Sequence, residues 1–171
     1  AGFDARFSAT SRRYRYRIAD ATAKVNPLEA AHTLWLDFKL DAEKMHRAAA
    51  NLIGLHDFAS FCKAREGATT IRDLREVTVQ RGADGIVLIE LQADAFCHNM
   101  VRSIVGALIA VGDGKAEPQD VLRVLEQRSR VGAYKVVAPH GLTLLEIGYP
   151  ADDELANQAE KARNMRSLDE N

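Results

Sequence analysis

The sequence predicts an α+β domain of the split βαβ kind, ferredoxin-like or RRM-like, with an antiparallel sheet and its helices on one face. Three observations carry that expectation. Arg12 to Ile18, RRYRYRI, alternates at period two, with Tyr14, Tyr16 and Ile18 on one side and Arg13, Arg15 and Arg17 on the other. Such alternation marks a half-buried strand. IRDLREVTVQRGADGIVLIELQADAF reads as a hairpin, with strands near Ile71–Arg81 and Ile86–Ala93 and a turn at Gly82-Ala83-Asp84-Gly85. Helical patterns follow both the first strand and the hairpin, and Gly141–Tyr149, GLTLLEIGY, supplies a last strand. The order is strand, helix, strand, strand, helix, helix, strand.

Taken along the chain, residues 20–33 are small and polar, with Asn26-Pro27 as a turn signal, and His32–Phe38 is a short extended piece. Asp41 caps a helix, DAEKMHRAAANLIG, that turns Met45, Ala48, Ala49, Leu52 and Ile53 inward, sends His46 to water and stops at Gly54. LHDFASF is a short turn or helical piece whose Phe58 and Phe61 pack beneath the sheet. Residues 63–70 form a polar loop with two cations, Lys63 and Arg65, which suits either a connector or a phosphate contact.

Ala93 to Gly114 is the most informative stretch. Asp94 is placed to cap a helix and Gly112 to end it. Met100, Val101, Ile104, Val105, Leu108, Ile109 and Val111 share one broad apolar arc. Arg102 sits on the border of that arc, where a guanidinium needs an anionic partner or a route to water. After Asp94 the helix offers no acid. A second helix runs from Pro118 to Gln127, capped from Glu117, and residues 128–141 are irregular. The chain thus divides into a domain over 1–150 and a polar tail over 151–171. Lacking an apolar stripe, the tail is a frayed or partner-dependent helix.

At 171 residues with 47% apolar content, the chain has the material for one domain with a real core. Net charge is −1, yet Arg6, Arg12, Arg13, Arg15 and Arg17 face only Asp4 at the start, and acids crowd the end. A basic N-terminal strip offset by an acidic tail suits an RNA-facing surface. The two cysteines, Cys62 and Cys97, form no CxxC pair and read as free thiols of a reduced, intracellular protein. No run approaches the ~20 apolar residues of a membrane span. The opening AGFDARFSATS has no initiator Met and reads as the start of a fragment.

Several chemistries fall away. His32, His46, His56, His98 and His140 are scattered, none four residues from another His or a Cys, so no metal site is expected. Cys97 cannot use the adjacent His98 as a base, because neighbours on a helix point to different faces. Gly112–Lys115 lacks the P-loop spacing, and no dinucleotide fingerprint occurs, so no cofactor is expected. Two readings of the residues stay open. The first strand is either plain core or a platform on which a tyrosine stacks a base while Arg13 and its neighbours hold phosphates. Arg102 is either a structural ion-pair residue or part of a site.

The blocks FDARFSATSRRYRYRI, FASF, TTIRDL, ADAFCHNMVRSIVGALIAVGDGK and APHGLTLLEIGYP, in this order, resemble the C-terminal half of the TruA family of tRNA pseudouridine synthases over residues 3–150. The resemblance implies half of a pseudouridine synthase fold and a cofactor-free uridine isomerase acting on the tRNA anticodon arm. It further implies a cytoplasmic homodimer with no membrane contact. Tyr14 matches the tyrosine that stacks on the target base and is a candidate for the closing proton transfer, and Arg102 matches the arginine that pairs with the nucleophilic aspartate. Phe3, Arg6 and Phe7 match a segment that contacts RNA, with Lys63 and Arg65 in a second such loop. Asp4 departs from the family's FHARF form. The nucleophile's own motif, resembling GRTDAGVHA, is absent, and Asp20, Asp57, Asp73, Asp94 and Asp113 stand in other contexts. This chain alone is therefore expected to be inactive and to need the N-terminal half as its partner. The rival is a non-catalytic RRM-like RNA-binding or dimerisation module. That reading calls for aromatics on the central strands, which TVQR and IVLIEL lack.

Overall fold

A computed structural model describes residues 2–24, 26–63, 65–130, 134–163 and 168. Strand β1 (Ser11–Ala19) is central, pairing antiparallel with β5 (Val87–Ala93) on one side and β6 (Leu142–Gly148) on the other. Beyond β5 lie β4 (Ile71–Arg81) and then β3 (Gly54–Asp57), while β2 (Leu34–Trp35) pairs parallel with the end of β1. The result is one open mixed sheet with helices, an α+β fold. Helices α1 (Ala42–Ala50), α2 (Met100–Gly112), α3 (Pro118–Gln127) and α4 (Leu155–Lys161) complete it.

The alternation of β1 decides which way the sheet faces. Tyr16 and Ile18 are fully buried with Leu74, Ile89 and Leu91 of the neighbouring strands, Met45 and Leu52 from the α1 region, and Met100 and Ile104 of α2. Each such side chain contributes about 1.5–3 kcal/mol of apolar burial. Phe58 and Phe61 join this core, as their spacing predicts. The opposite face is a polar ladder. Arg13 bonds Glu76 at 3.0 Å and Gln92 at 2.8 Å, and Arg15 bonds Glu90 at 2.6 Å.

Capping behaves as read for α1, where the Asp41 side chain accepts from the Lys44 N–H, and for α3, where Glu117 and Asp120 form a reciprocal capping box. The hairpin turn closes at Gly85, whose φ of +84° suits a residue without a Cβ. Elsewhere the structure differs. Asp94 does not cap α2: its carboxylate accepts from the Asp73 and Ala95 N–H groups and closes the end of the β4–β5 ladder. The helix starts later, after Asn99 at φ 69° with no side-chain cap. Gly54–Asp57 is a strand rather than a turn, because its backbone finds the free edge of β4. Pro27–His32 is a 3-10 helix. His46 is not merely solvated, since its Nδ1 accepts from the Val79 N–H at 3.2 Å.

One further expectation changes. Cys62 and Cys97, read as free thiols, are joined as a disulfide with Cα atoms 5.6 Å apart. The β3–β4–β5 pairing brings together segments that are 35 residues apart in sequence, which spacing alone does not reveal. Within the tail, read as a frayed or partner-dependent helix, α4 lies against the N-terminal segment, with Ala159 buried and the Ser8 hydroxyl donating to the Leu155 carbonyl at 2.9 Å. Its docking face is supplied by the chain's own beginning.

Candidate active site

Arg102 leaves the border of α2 as the apolar arc requires, half-buried rather than enclosed. Its Nε donates to the Val137 carbonyl at 2.6 Å, and the Val137 N–H returns to the Arg102 carbonyl at 3.4 Å. Among the described residues no acid lies within ion-pair distance of Arg102 and no hydrogen bond engages its two terminal nitrogens. A guanidinium pinned at Nε with its terminal fork unspent is arranged to receive a carboxylate.

Tyr16, on β1, feels the charge of Arg102. Burial pushes its hydroxyl up to about 12, and the nearby guanidinium only partly offsets this. Tyr14 lies two residues earlier on the same face, opposite Leu91 on β5 and Leu144 on β6. It is half-buried and packs edge-on against Phe96, with ring centroids 5.2 Å apart and planes at 89°. Among the described residues nothing bonds its hydroxyl.

Phe96 also lines a shallow cleft walled by Arg6, Lys63, Arg65, Arg72 and His98, with no carboxylate among the lining residues described. The sequence-predicted cations Arg6, Lys63 and Arg65 are thus brought together. The Lys63 N–H, donating to the His98 carbonyl at 2.9 Å, ties that loop to the approach of α2. Arg72, His98 and Phe96 had no periodic signal marking them. Arg13 is not part of this cleft: it sits on the polar face of β1, paired with Glu76 and Glu146.

The N-terminal turn is organised by Asp4. Its Oδ1 accepts the Arg6 and Phe7 N–H groups, each at 2.9 Å. The Phe7 bond, then the Arg6 bond, hold its carboxyl below the usual value, and Arg163 adds to this. A carboxylate spent on its own turn presents Arg6, whose guanidinium lies over the Phe7 ring at 4.9 Å. Phe3 is 58% exposed and meets Tyr149 edge-on. Among the described residues no group of acids, histidines or cysteines is arranged to hold a metal ion. Nor is any described helix long and apolar enough to cross a membrane.

The site thus gathers a tyrosine–phenylalanine pair, a cationic cleft and an arginine whose terminal nitrogens have no partner among the described residues. Residues 48–150 match the family model described as tRNA pseudouridine synthase, and the chain belongs to that family. It is 53% identical over 168 residues to a protein of Leifsonia xyli subsp. xyli named tRNA pseudouridine synthase A, covering 98% of this chain and 58% of that one. A protein of the same name from Streptomyces avermitilis is 55% identical over 167 residues, 98% of this chain and 59% of its own length. One from Mycobacterium leprae is 43% identical over 166 residues, covering 97% of this chain and 58% of that one. The resemblance to the TruA family is borne out. The chain spans less than two thirds of the length of the curated relatives it matches.

Proposed function

We propose that this chain is the C-terminal part of a tRNA-uridine isomerase that forms pseudouridine in the anticodon stem-loop. It supplies Tyr14 and Arg102, and the nucleophilic aspartate comes from an N-terminal half. The observation that carries this reading is the Arg102 fork, held at Nε by Val137 and left without an acid among the described residues. The strand order β6-β1-β5-β4 supports a ferredoxin-like half-domain, and the resemblance supports a cytoplasmic homodimer. The aromatic-free strands β4 and β5 speak against the RRM-like binding module.

In the mechanism the target uridine leaves its stack and enters beside Tyr14. Arg102 holds the aspartate ionised and aimed. The N1–C1′ bond breaks, the base turns, and C5 bonds to C1′. The proton then leaves C5 and N1 gains one, so atoms balance without a cofactor. Arg6, Lys63 and Arg65 hold the phosphates flanking the flipped nucleotide.

The test assays pseudouridine in unmodified tRNA with this chain and with the full-length protein. The full-length protein is expected to be active and this chain inactive. Full-length Tyr14→Phe is expected to bind tRNA normally and lose turnover. Product made by the isolated chain, or normal turnover by Tyr14→Phe, sinks the assignment.

A further inference from the structure

We propose that Tyr16 and Gly106 are positioning residues that aim the Arg102 fork, acting through the backbone segment that crosses α2 before β6. The inference rests on the isomerase reading above and adds to it how the arginine is oriented. The segment from Tyr134 to Gly141 has no regular structure, yet it is fixed at four of its residues. At Lys135 its carbonyl oxygen sits where a Cβ on Gly106 would be, so only glycine lets the segment lie this close to the helix. At Val137 it takes the Arg102 Nε. At Ala138 its carbonyl accepts the Tyr16 hydroxyl at 2.6 Å. At Gly141 its carbonyl accepts the Arg17 N–H at 3.0 Å, and a Cβ there would lie 2.8 Å from the Tyr16 ring.

Tyr16 is fully buried, and its burial keeps the hydroxyl a neutral donor. It therefore sets the Ala138 carbonyl, and the adjoining Val137 carbonyl sets the plane of the Arg102 guanidinium. A planar fork fixed at Nε has a fixed direction for its two terminal nitrogens. Removing the Tyr16 hydroxyl leaves a half-buried carbonyl without its donor and frees the segment to shift. Adding a methyl at Gly106 displaces the segment from the other side. Neither residue is placed to touch the substrate.

The experiment uses full-length Tyr16→Phe and Gly106→Ala, alone and combined with Arg102→Lys, assayed on unmodified tRNA below each variant's melting temperature. Each single variant is expected to lower kcat about tenfold with KM for tRNA unchanged. In the Arg102→Lys background neither should lower kcat further, because the fork they aim is gone. Losses that multiply with Arg102→Lys, or track melting temperature alone, mean a structural role and overturn the inference. So does wild-type kcat in both variants. An inactive wild-type protein would instead overturn the isomerase reading, so the two failures are distinguishable.

Discussion

Asp20 anchors the far end of β1 from the site, and its chemistry shows what a single residue contributes here. Its side chain is fully buried, takes the Arg81 Nη2 at 2.6 Å and accepts from the Leu40 N–H at 2.8 Å. Burial pushes its carboxyl up, but Arg81, the Leu40 amide and Thr22 together outweigh this and hold it well below the ordinary 3.8. A folded-state value below the unfolded one means the stabilisation is fully present above pH 3.8 and is lost as pH falls below that. Asp20→Asn should cost about 3 kcal/mol, the low end for a broken buried pair, because the Arg81 side chain keeps 26% exposure. The variant's unfolding curve in acid should also be flatter than that of the parent. Denaturant melts across pH check both, and a parallel pH dependence in the two proteins would reject the linkage. Tyr16 acts at the other end of the scale: its raised hydroxyl gives stability present below pH 10 and lost as pH rises toward about 12.

At the scale of elements, the docking of α4 rests on few contacts and is therefore easy to test. Ser8 is fully buried, its hydroxyl donating to the Leu155 carbonyl and accepting from the Asp4 N–H at 3.0 Å. Ser8→Ala should cost about 1–2 kcal/mol, and removing the chain after Pro150 should lower that cost, leaving only the loss of the Asp4 N–H bond. Thermal melts of the four proteins decide it, and equal losses in both lengths would show that Ser8 does not act through α4. The sequence could not announce this contact, because α4 has no apolar stripe and its partner is the Ser8 hydroxyl, 147 residues away. What was legible follows the same physics in reverse. The β1 alternation, the Asp41 cap and the broad apolar arc of α2 are periodic or local, so residues near in sequence report them. Asp94 misled because an acid ahead of a helix and an acid closing a ladder look alike until the strands pair. Arg102 was legible by its place on the arc. Tyr16 was not, since a core tyrosine and a positioning tyrosine alternate identically and its carbonyl partner lies 122 residues on.

For the whole molecule, the decisive feature is the sheet edge at β6. Its burial is slight throughout: Leu144 is 44% exposed, Leu145 39% and Ile147 37%. Leu144 stands opposite Tyr14 on β1, and a register shift between Arg13 and Tyr14 leaves Leu145 as the extra residue. An edge unpaired among the described residues, carrying apolar side chains beside the proposed base-stacking tyrosine, is left exposed in this chain. The proposed N-terminal half would cover it and in the same act bring its aspartate to Arg102. Hydrogen exchange should therefore be slower along β6 in the full-length protein than in this chain, while the buried strand β5 exchanges alike in both. Leu144→Glu should leave the melting temperature of this chain nearly unchanged, its site being already wet, yet destabilise the full-length protein by about 1–3 kcal/mol through an unpaired buried charge. Equal exchange along β6 in the two proteins, or a Leu144→Glu variant tolerated equally by both, would place the missing half elsewhere. Arg102 would then have to find its acid by another route.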